Sequence, residues 1–369
     1  MTQLITKIGI IGCGNISGIY FQNCRKFDIL NVVACADLVL EKAQAKANEF
    51  KGVEARTVRE ILDDPEIEIV INLTTPDAHA EIGQAVLDAG KSLYNEKPLT
   101  ISREDSRKLL ETARKNKLRV GCAPDTFLGG SHQTCRKLID DGWIGELVAA
   151  TAFMLCHGHE SWHPDPEFYY KKGGGPMFDM GPYYLTALIN LMGPIKRVVG
   201  ATRTTFAERL ITSQPKYGTI IEVETPTHVV GVIEFAGGAI ATIVTSFDVW
   251  ATELPCIEVY GTEGSLSVPD PNGFGGPVRI KRARAKEWNE VPVIHGYTEN
   301  SRAIGAADMA YALRSGRPHR VSGELAYHVL DSMHAFLDAA NESKYVVLSS
   351  TCSRPAPLPL GLLDYKLDE

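Results

Sequence analysis

The sequence predicts an α/β protein of two domains: a parallel βαβ sheet, then an α+β domain built on an antiparallel or mixed sheet. Three observations carry that prediction. Short apolar runs alternate with helix-like stretches of about a dozen residues from residue 7 to residue 123, the pattern of βαβ units. From residue 197 to residue 269, strand-like runs follow one another directly with turn residues between them, which points to a separate domain. The chain has 369 residues, enough for two domains of ordinary size.

The first strand is the apolar run 7–12, which ends in glycine as a fully buried parallel strand does. Gly12-Cys13-Gly14-Asn15-Ile16-Ser17 then opens a helix reaching about residue 26. This is G-x-G-x-x with serine where the dinucleotide fingerprint has a third Gly or Ala. Gly12 serves the tight turn, and Gly14 lets a pyrophosphate approach the helix N-terminus. The second strand, 31–37, ends in Asp37, at the spacing of roughly 20 residues where a carboxylate binds a ribose 2′-OH. Such a carboxylate repels a 2′-phosphate, so Asp37 favours NAD over NADP.

A helix at 40–50, a short strand at 54–56 and a helix at 58–63 continue the alternation. The strand 67–74 ends in Thr74-Thr75-Pro76; a helix at 78–89 leads to the strand 92–97, closed by Pro98. A helix at 102–115 and a strand at 118–123 complete the block. Ligands of parallel sheets lie beyond the carboxyl ends of the strands, so Gly12, Asp37, Thr74, Glu96, Lys97 and Asp125 should line one edge. A lysine there is well placed for chemistry. Its flexible ammonium can hydrogen-bond a substrate hydroxyl, and nearby charge or desolvation can tune its pKa.

The second part starts with a helix at 131–140 and a strand at 146–156, followed by an irregular segment rich in histidine and aromatic residues up to 170. Three glycines, Gly173 to Gly175, precede a helix whose Leu185, Leu188, Ile189 and Met192 form one apolar stripe. Asp179, Tyr183, Thr186 and Asn190 form a polar one. Pro182 is tolerated only where no intrahelical N–H partner is required, which sets the helix start near Asp179. Alone, this segment fits an N-cap aspartate and a half-buried tyrosine as well as it fits an active site. Strands are expected at 197–206, 219–223, 228–235, 239–248, 255–260 and 265–269, with Ala236-Gly237-Gly238 as a hairpin turn. A loop at 270–276, helices at 301–315 and 323–340, and a proline-rich tail after 348 close the chain. His157, His159 and His163 match no zinc spacing, so no metal is expected there. They read as polar groups lining a substrate pocket with Trp162 as an apolar wall, whereas His228, His328 and His334 read as structural.

Composition narrows the function classes. A net charge of -7 and the absence of any Lys/Arg-rich run argue against a nucleic-acid binder. No apolar run reaches the roughly 18 residues of a membrane span. Eight cysteines, scattered without a C-x-x-C pair, read as reduced thiols. With an N-terminal segment that lacks a signal-peptide pattern, the expectation is a cytoplasmic protein.

The fingerprint, the triplet Glu96-Lys97-Pro98 and the G-G-G-x-x-x-D-x-G-x-Y run from Gly173 to Tyr183 occur in the order found in one known family. Over nearly its whole length the chain resembles the glucose–fructose oxidoreductase, inositol dehydrogenase and rhizopine-catabolism (Gfo/Idh/MocA) oxidoreductases. The resemblance implies an NAD-binding Rossmann domain over 1–125 and a substrate-binding and oligomerisation domain over 126–349, with a tail at 350–369. It also implies that the second domain has a large open, mainly antiparallel sheet that often builds homodimers or homotetramers. The implied reaction is hydride transfer between a nicotinamide and a hydroxyl-bearing carbon of a sugar, inositol or related polyol. The cofactor contacts would be Gly12 and Gly14 with Asn15 and Ile16, Asp37, Thr74-Thr75-Pro76 with His79, and Glu96 with Lys97. The substrate would meet Lys97, Asp125, Trp162, His163, Asp179 and Tyr183. By this resemblance Lys97 would hydrogen-bond the reacting oxygen, with the nicotinamide ribose as a further partner, and Asp179 would orient the substrate or the acid–base group. Tyr183 stands where the family most often has histidine, as it does in some relatives. A free tyrosine has a pKa near 10, so a proton-carrying Tyr183 needs a cation, for which Lys97 is the candidate. Two other functions are known on this fold: a sensor that binds nucleotide and sugar without turnover, and a glycosidase that oxidises its sugar transiently on held NAD. Retention of Lys97, Asp179 and a phenol argues against the sensor. Sugar release without net NADH would mark the glycosidase.

Overall fold

The computed structural model of the protein describes residues 5–368. Residues 1–4, at the start of the N-terminal segment, and residue 369, the last of the expected tail, lie outside the described residues. The backbone gathers into two compact units. The first holds the chain up to Gln133, Ile294–Tyr327 and everything from Pro355 onward; the second holds Thr134–Val293 and His328–Arg354.

The first unit alternates as expected through β1 (Thr6–Ile11), α1 (Ser17–Cys24), β2 (Leu30–Ala36), α2 (Leu40–Glu49), β3 (Glu54–Ala55), α3 (Val58–Asp63), β4 (Ile69–Asn72), α4 (His79–Asp88), β5 (Ser92–Asn95), α5 (Arg103–Asn116) and β6 (Val120–Cys122). The six strands form one sheet in the order β3-β2-β1-β4-β5-β6, parallel throughout. Local chemistry sets the helix ends. Thr57 and Glu60 form a reciprocal capping box at α3. At α5 the Ser102 hydroxyl accepts the Asp105 N–H, acids fill the first turn and Arg114 and Lys115 the last, matching the helix dipole. Ile11, Ile61, Val70, Val86, Leu93 and Leu109 build the core between helices and sheet.

The chain continues through α6 (Gly130–Asp140) to the second unit: β7 (Leu147–Leu155), α7 (Gly175–Met192), β8 (Ile195–Arg203), β9 (Glu208–Leu210), β10 (Ile220–Glu222), β11 (His228–Phe235), β12 (Ile240–Ser246), β13 (Ile257–Gly261), β14 (Gly264–Val268), β15 (Val278–Arg282) and β16 (Asn289–Val291). It ends with α8 (Ile304–Ser315) in the first unit, α9 (Gly323–Glu342) and β17 (Val346–Val347). Nine strands make a sheet in the order β16-β15-β14-β13-β7-β12-β11-β8-β17, antiparallel except where β12 runs parallel to β7. The fold class is therefore the expected one. The hairpin turn falls at Gly238, at φ +93, a value that suits glycine. The short strands β9, β15, β16 and β17 were not anticipated; runs of two to five residues carry too little period-2 signal.

One face of the nine-stranded sheet is packed. Alternate residues of β7, Ala150, Ala152 and Met154, are buried while their neighbours stay partly exposed. Gly200 and Gly231 pair across β8 and β11, and side chains there would strike the Phe336 ring of α9, with Cβ positions at 3.3 Å and 2.2 Å from it. Two facing glycines thus form the seat for one aromatic ring.

α7 corrects an expectation. It begins at Gly175, a turn before Asp179, and Pro182 lies inside it. Gly175 takes φ +85 and Pro176 supplies a preset φ at the start. The missing N–H of Pro182 is carried by a helix buried along almost its whole length, so packing outweighs the local cost. At the other end, the Asn190 carbonyl accepts from Arg136 Nη1 at 3.0 Å and Arg354 Nε at 2.8 Å, and the Leu191 carbonyl accepts from Arg354 Nη2 at 2.8 Å. Two guanidinium groups thereby satisfy the C-terminal carbonyls.

Candidate functional site

In the first unit, the residues at the strand ends are tied together by hydrogen bonds. Gly12 sits at φ +101, and a Cβ there would lie 2.6 Å from the Leu73 carbonyl, so only glycine lets β1 turn beside β4. A Cβ on Gly14 would meet nothing within 4 Å, leaving open space in front of α1. Ser17, in place of the usual third small residue, is buried and its hydroxyl donates to the Gly14 carbonyl at 2.7 Å. Asn15 and Ile16 lie exposed on the same turn. Asp37 accepts from the Cys13 N–H at 2.7 Å and the Val39 N–H at 2.9 Å, which pins its carboxylate beside the glycine turn. An open glycine turn at a helix N-terminus with a fixed carboxylate beside it fits a dinucleotide.

The next two strand ends are braced from within. Asn72 Oδ1 accepts from both the N–H (3.2 Å) and the hydroxyl (2.7 Å) of Thr74. Its amide donates to Asn95 Oδ1 at 3.1 Å, and the Asn95 amide donates to the Leu99 carbonyl at 2.8 Å. Glu96 accepts from the Tyr20 hydroxyl at 2.8 Å and from the Lys97 N–H at 2.8 Å, so the turn carrying Lys97 is held from α1. Lys97 itself is partly exposed. Thr75 and Pro76 lead into α4.

Two of the residues expected to meet ligand make bracing contacts inside the unit. His79 is enclosed, its Nδ1 at 2.7 Å from the Pro98 carbonyl and its Nε2 at 3.1 Å from the Thr74 carbonyl. It joins the cofactor-side loop to the Lys97 turn from behind. Burial pushes its pKa below the ordinary histidine value, and a neutral ring donates to only one of those carbonyls at a time. Asp125 is 1% exposed, and one of its oxygens accepts from the Tyr94 hydroxyl (3.2 Å) and the N–H groups of Ala303 and Gly305 (3.0 Å each). It anchors the start of α8, where Ala303 is held at φ +87. Burial raises its pKa to about 6, against the opposing pull of the Gly305 N–H. Sequence placed Asp125 at a strand end and His79 in the helix after Pro76; only packing shows the partners that enclose them.

In the second unit, Asp179 and Met180 are the two residues of α7 that are not buried. The Asp179 carboxylate lies 3.0 Å from His159 Nε2. The His159 ring is fixed by Trp162, Tyr169 and Phe247, with centroids at 5.2, 4.3 and 4.7 Å. Trp162 is 61% exposed and also meets the ring of His163, whose Nδ1 accepts the Asp165 N–H at 3.0 Å. Burial lowers the His163 pKa, which favours the neutral ring. Tyr183, one turn after Asp179, is buried, as are Thr186 and Asn190, so the expected polar stripe opens only at its first member. The structure therefore gathers Asp179, Trp162 and His163 around His159, the partner that spacing did not single out. His157 turns elsewhere, stacking on Trp250 with centroids 3.4 Å apart. Among the described residues no cluster of three or more His, Cys, Asp or Glu is arranged to hold a metal, no helix is long and apolar enough to cross a membrane, and all eight cysteines are free thiols.

Comparisons with known proteins follow the same division. Residues 6–123 match the profile described as "Oxidoreductase family, NAD-binding Rossmann fold", and residues 132–267 match the GFO/IDH/MocA C-terminal domain. An inositol 2-dehydrogenase of Rhizobium meliloti is 25% identical over 290 residues, covering 79% of this chain and 82% of that protein. A scyllo-inositol 2-dehydrogenase (NADP(+)) of Bacillus subtilis is 21% identical over 359 residues, with 93% and 96% covered. Among solved structures, an NAD binding oxidoreductase from Klebsiella pneumoniae superposes with a TM-score of 0.82 at 19% identity, covering 94% of this chain and all of that one.

Proposed function

The chain belongs to the GFO/IDH/MocA oxidoreductase family, and from that premise we propose that it is an NAD-dependent dehydrogenase or reductase of a sugar, inositol or related polyol. The observation that carries the polyol part is Asp179: a carboxylate at the one opening of a buried helix, aimed by His159 and walled by aromatic rings. A fixed acceptor among apolar walls suits a polyhydroxylated ring, whose hydroxyls donate and whose C–H faces pack. The two curated relatives, named for inositol dehydrogenation, support the same class. The preference for NAD rests on Asp37, which is set to accept from a ribose 2′-OH. Leu38 and Val39 after it bring no cation that could offset a 2′-phosphate.

When bound, the nicotinamide supplies a hydride acceptor or donor at C4. Oxidation of the alcohol would give up a hydride from its C–H bond, for which the cofactor would be the acceptor, and a proton from its O–H bond, for which the protein would be the acceptor. Tyr183 is assigned the proton, Lys97 the developing charge on the oxygen, and Asp179 the orientation of the neighbouring hydroxyls. The N-terminus of α1 and the open space at Gly14 would hold the pyrophosphate. The half-exposed side of the nine-stranded sheet, with Val230, Val232 and Val244 on it, is assigned to further copies of the chain in a dimer or tetramer. Free thiols suit a reducing cytoplasm.

The test is a panel of sugars and inositols scored for NADH formation, with NADP in parallel. Lys97→Ala should keep measurable NAD binding while lowering turnover by about 10²–10⁴-fold, the range of general acid–base and oxyanion effects. Near-normal turnover in that variant, or a strong preference for NADP, would sink the assignment. Sugar release without net NADH would reassign the chain to transient oxidation by a glycosidase.

A further inference from the structure

His159 reaches Asp179 from an irregular stretch: between the end of β7 at Leu155 and the start of α7 at Gly175, the regular structure is a 3-10 turn at Glu167–Tyr170. A side chain on such a loop keeps its aim when the loop is held from behind. The hold is a chain of buried polar groups. The Tyr170 hydroxyl accepts the His159 backbone N–H at 3.3 Å and donates to one Glu160 carboxylate oxygen. The other Glu160 oxygen accepts from Arg209 Nη1 at 2.8 Å. Arg209 Nη2 donates to the Phe247 carbonyl at 2.9 Å and to Asp248, whose second oxygen accepts the Thr227 hydroxyl at 2.7 Å. The Glu160 carbonyl is pinned too, by the N–H groups of Thr212 and Ser213 at 2.9 and 3.0 Å. Arg209 belongs to β9, Asp248 follows β12 and Thr227 precedes β11, so the far end of the chain is anchored on strands.

Two routes lead from that anchor to His159. One is the Tyr170 hydroxyl at its backbone; the other is Phe247, whose carbonyl holds Arg209 and whose ring packs on the imidazole at 4.7 Å. The Arg209 guanidinium also lies over the Tyr170 ring at 5.6 Å. Burial, and after it the Glu160 hydrogen bond, holds the Tyr170 pKa well above the ordinary phenol value, so the hydroxyl keeps its proton and serves both neighbours. Gly158 completes the fit. It takes φ +81, and a Cβ there would strike both the Tyr170 hydroxyl and the Glu160 carboxylate. The side chains of Arg209, Glu160 and Asp248 are 4%, 11% and 8% exposed. A buried ion triad often gives no more stability than an apolar filling of the same volume, and its best use is to specify one arrangement. The arrangement here is the pose of His159, whose Nε2 donates to the Asp179 carboxylate at 3.0 Å. We propose that Tyr170 and Arg209 are positioning residues for the polyol site: through Glu160 and the His159 backbone they hold His159, and through its ring the Asp179 carboxylate, in the pose that meets a substrate hydroxyl. The proposal rests on reading Asp179 as the residue that orients the substrate. No covalent bond is made or broken in this role.

The experiment uses the full chain as wild type, Tyr170→Phe, Arg209→Lys, His159→Ala and the double variant of Tyr170→Phe with His159→Ala. Steady-state kinetics on the panel of sugars and inositols, with NAD and NADP, give KM and kcat. NMR of isotope-labelled histidine reads the His159 Nε2–H signal, assigned by its loss in His159→Ala, and thermal melting sets a temperature at which every variant is folded. Tyr170→Phe keeps the ring and removes the hydroxyl. It should shift the Nε2–H signal and raise KM for the oxidised polyol about tenfold, with KM for NAD held within about twofold. Arg209→Lys puts a point charge in place of a fork that serves Glu160, Asp248 and the Phe247 carbonyl together, and should act in the same direction. In the His159→Ala chain, Tyr170→Phe should add nothing further to KM, because it acts through the residue already removed. A purely structural role lowers the melting temperature and leaves the two KM effects additive. Additive effects, or an Nε2–H signal unmoved by Tyr170→Phe, overturn the proposal. A signal shifted in Tyr170→Phe and Arg209→Lys with no member of the panel oxidised by either cofactor would uphold the positioning chain and remove the dehydrogenase reading. Oxidation with KM and the signal unmoved in both variants would do the reverse.

Discussion

Asp125→Asn isolates a buried charge whose cost can be worked from the structure. The carboxyl is enclosed, and its pKa of about 6 stands above the roughly 3.9 of an unfolded chain, a difference worth about 2–3 kcal/mol. Between those two values the folded protein binds more protons than the unfolded one. The contribution is thus fully present below about pH 4 and lost as pH rises through about 6. Asparagine keeps an oxygen for the Tyr94 hydroxyl and the Ala303 and Gly305 N–H groups but carries no charge. Urea unfolding of wild type and variant, followed by circular dichroism from about pH 4 to about pH 7.5, measures the difference directly. The variant should gain on the wild type by roughly 2–3 kcal/mol across that interval, with the change centred between about pH 4 and 6. Any misfit of the amide shifts both ends of the curve equally and leaves the slope unchanged. A gap that stays flat, or one that closes as pH rises, would refute the argument that burial dominates the three hydrogen bonds.

Other substitutions test the remaining braces. His79→Ala removes the link between the Thr74 and Pro98 carbonyls and should lower stability by about 2–4 kcal/mol, with a higher KM for NAD; calorimetry and steady-state kinetics check both. Gly231→Ala drives a methyl into the Phe336 ring and should destabilise by about 1–3 kcal/mol, a loss that Phe336→Leu in the same chain should partly recover in a double-mutant cycle. If Asp37 disfavours a 2′-phosphate as proposed, Asp37→Ser should move the ratio of kcat/KM values for NAD and NADP toward NADP by about tenfold.

Much of the first unit was legible because its rules are local. A βαβ unit brings every strand's carboxyl end to one edge, so the alternation alone aligned Gly12, Asp37, Thr74 and Lys97. Which of these face a ligand was not legible. His79 and Asp125 were both expected to meet ligand, yet the His79 ring nitrogens lie against the Pro98 and Thr74 carbonyls and one Asp125 oxygen is taken by Tyr94, Ala303 and Gly305, partners as far as 180 residues away.

The second unit divides in the same way. Spacing identified α7, its Asp179 and the Tyr183 that follows one turn later, because a 3.6-residue period is written in consecutive residues. It misplaced the helix start, since burial on nearly every side lets Pro182 sit inside. It also could not choose among three histidines in an irregular loop, and packing against Tyr169 and Phe247 made His159 the partner of Asp179. The sequence by itself determined the fold class, the family and the chemistry-bearing residue types. Only the tertiary structure decided which of those side chains are open and which are enclosed, because burial and hydrogen-bond partners depend on residues distant in the chain.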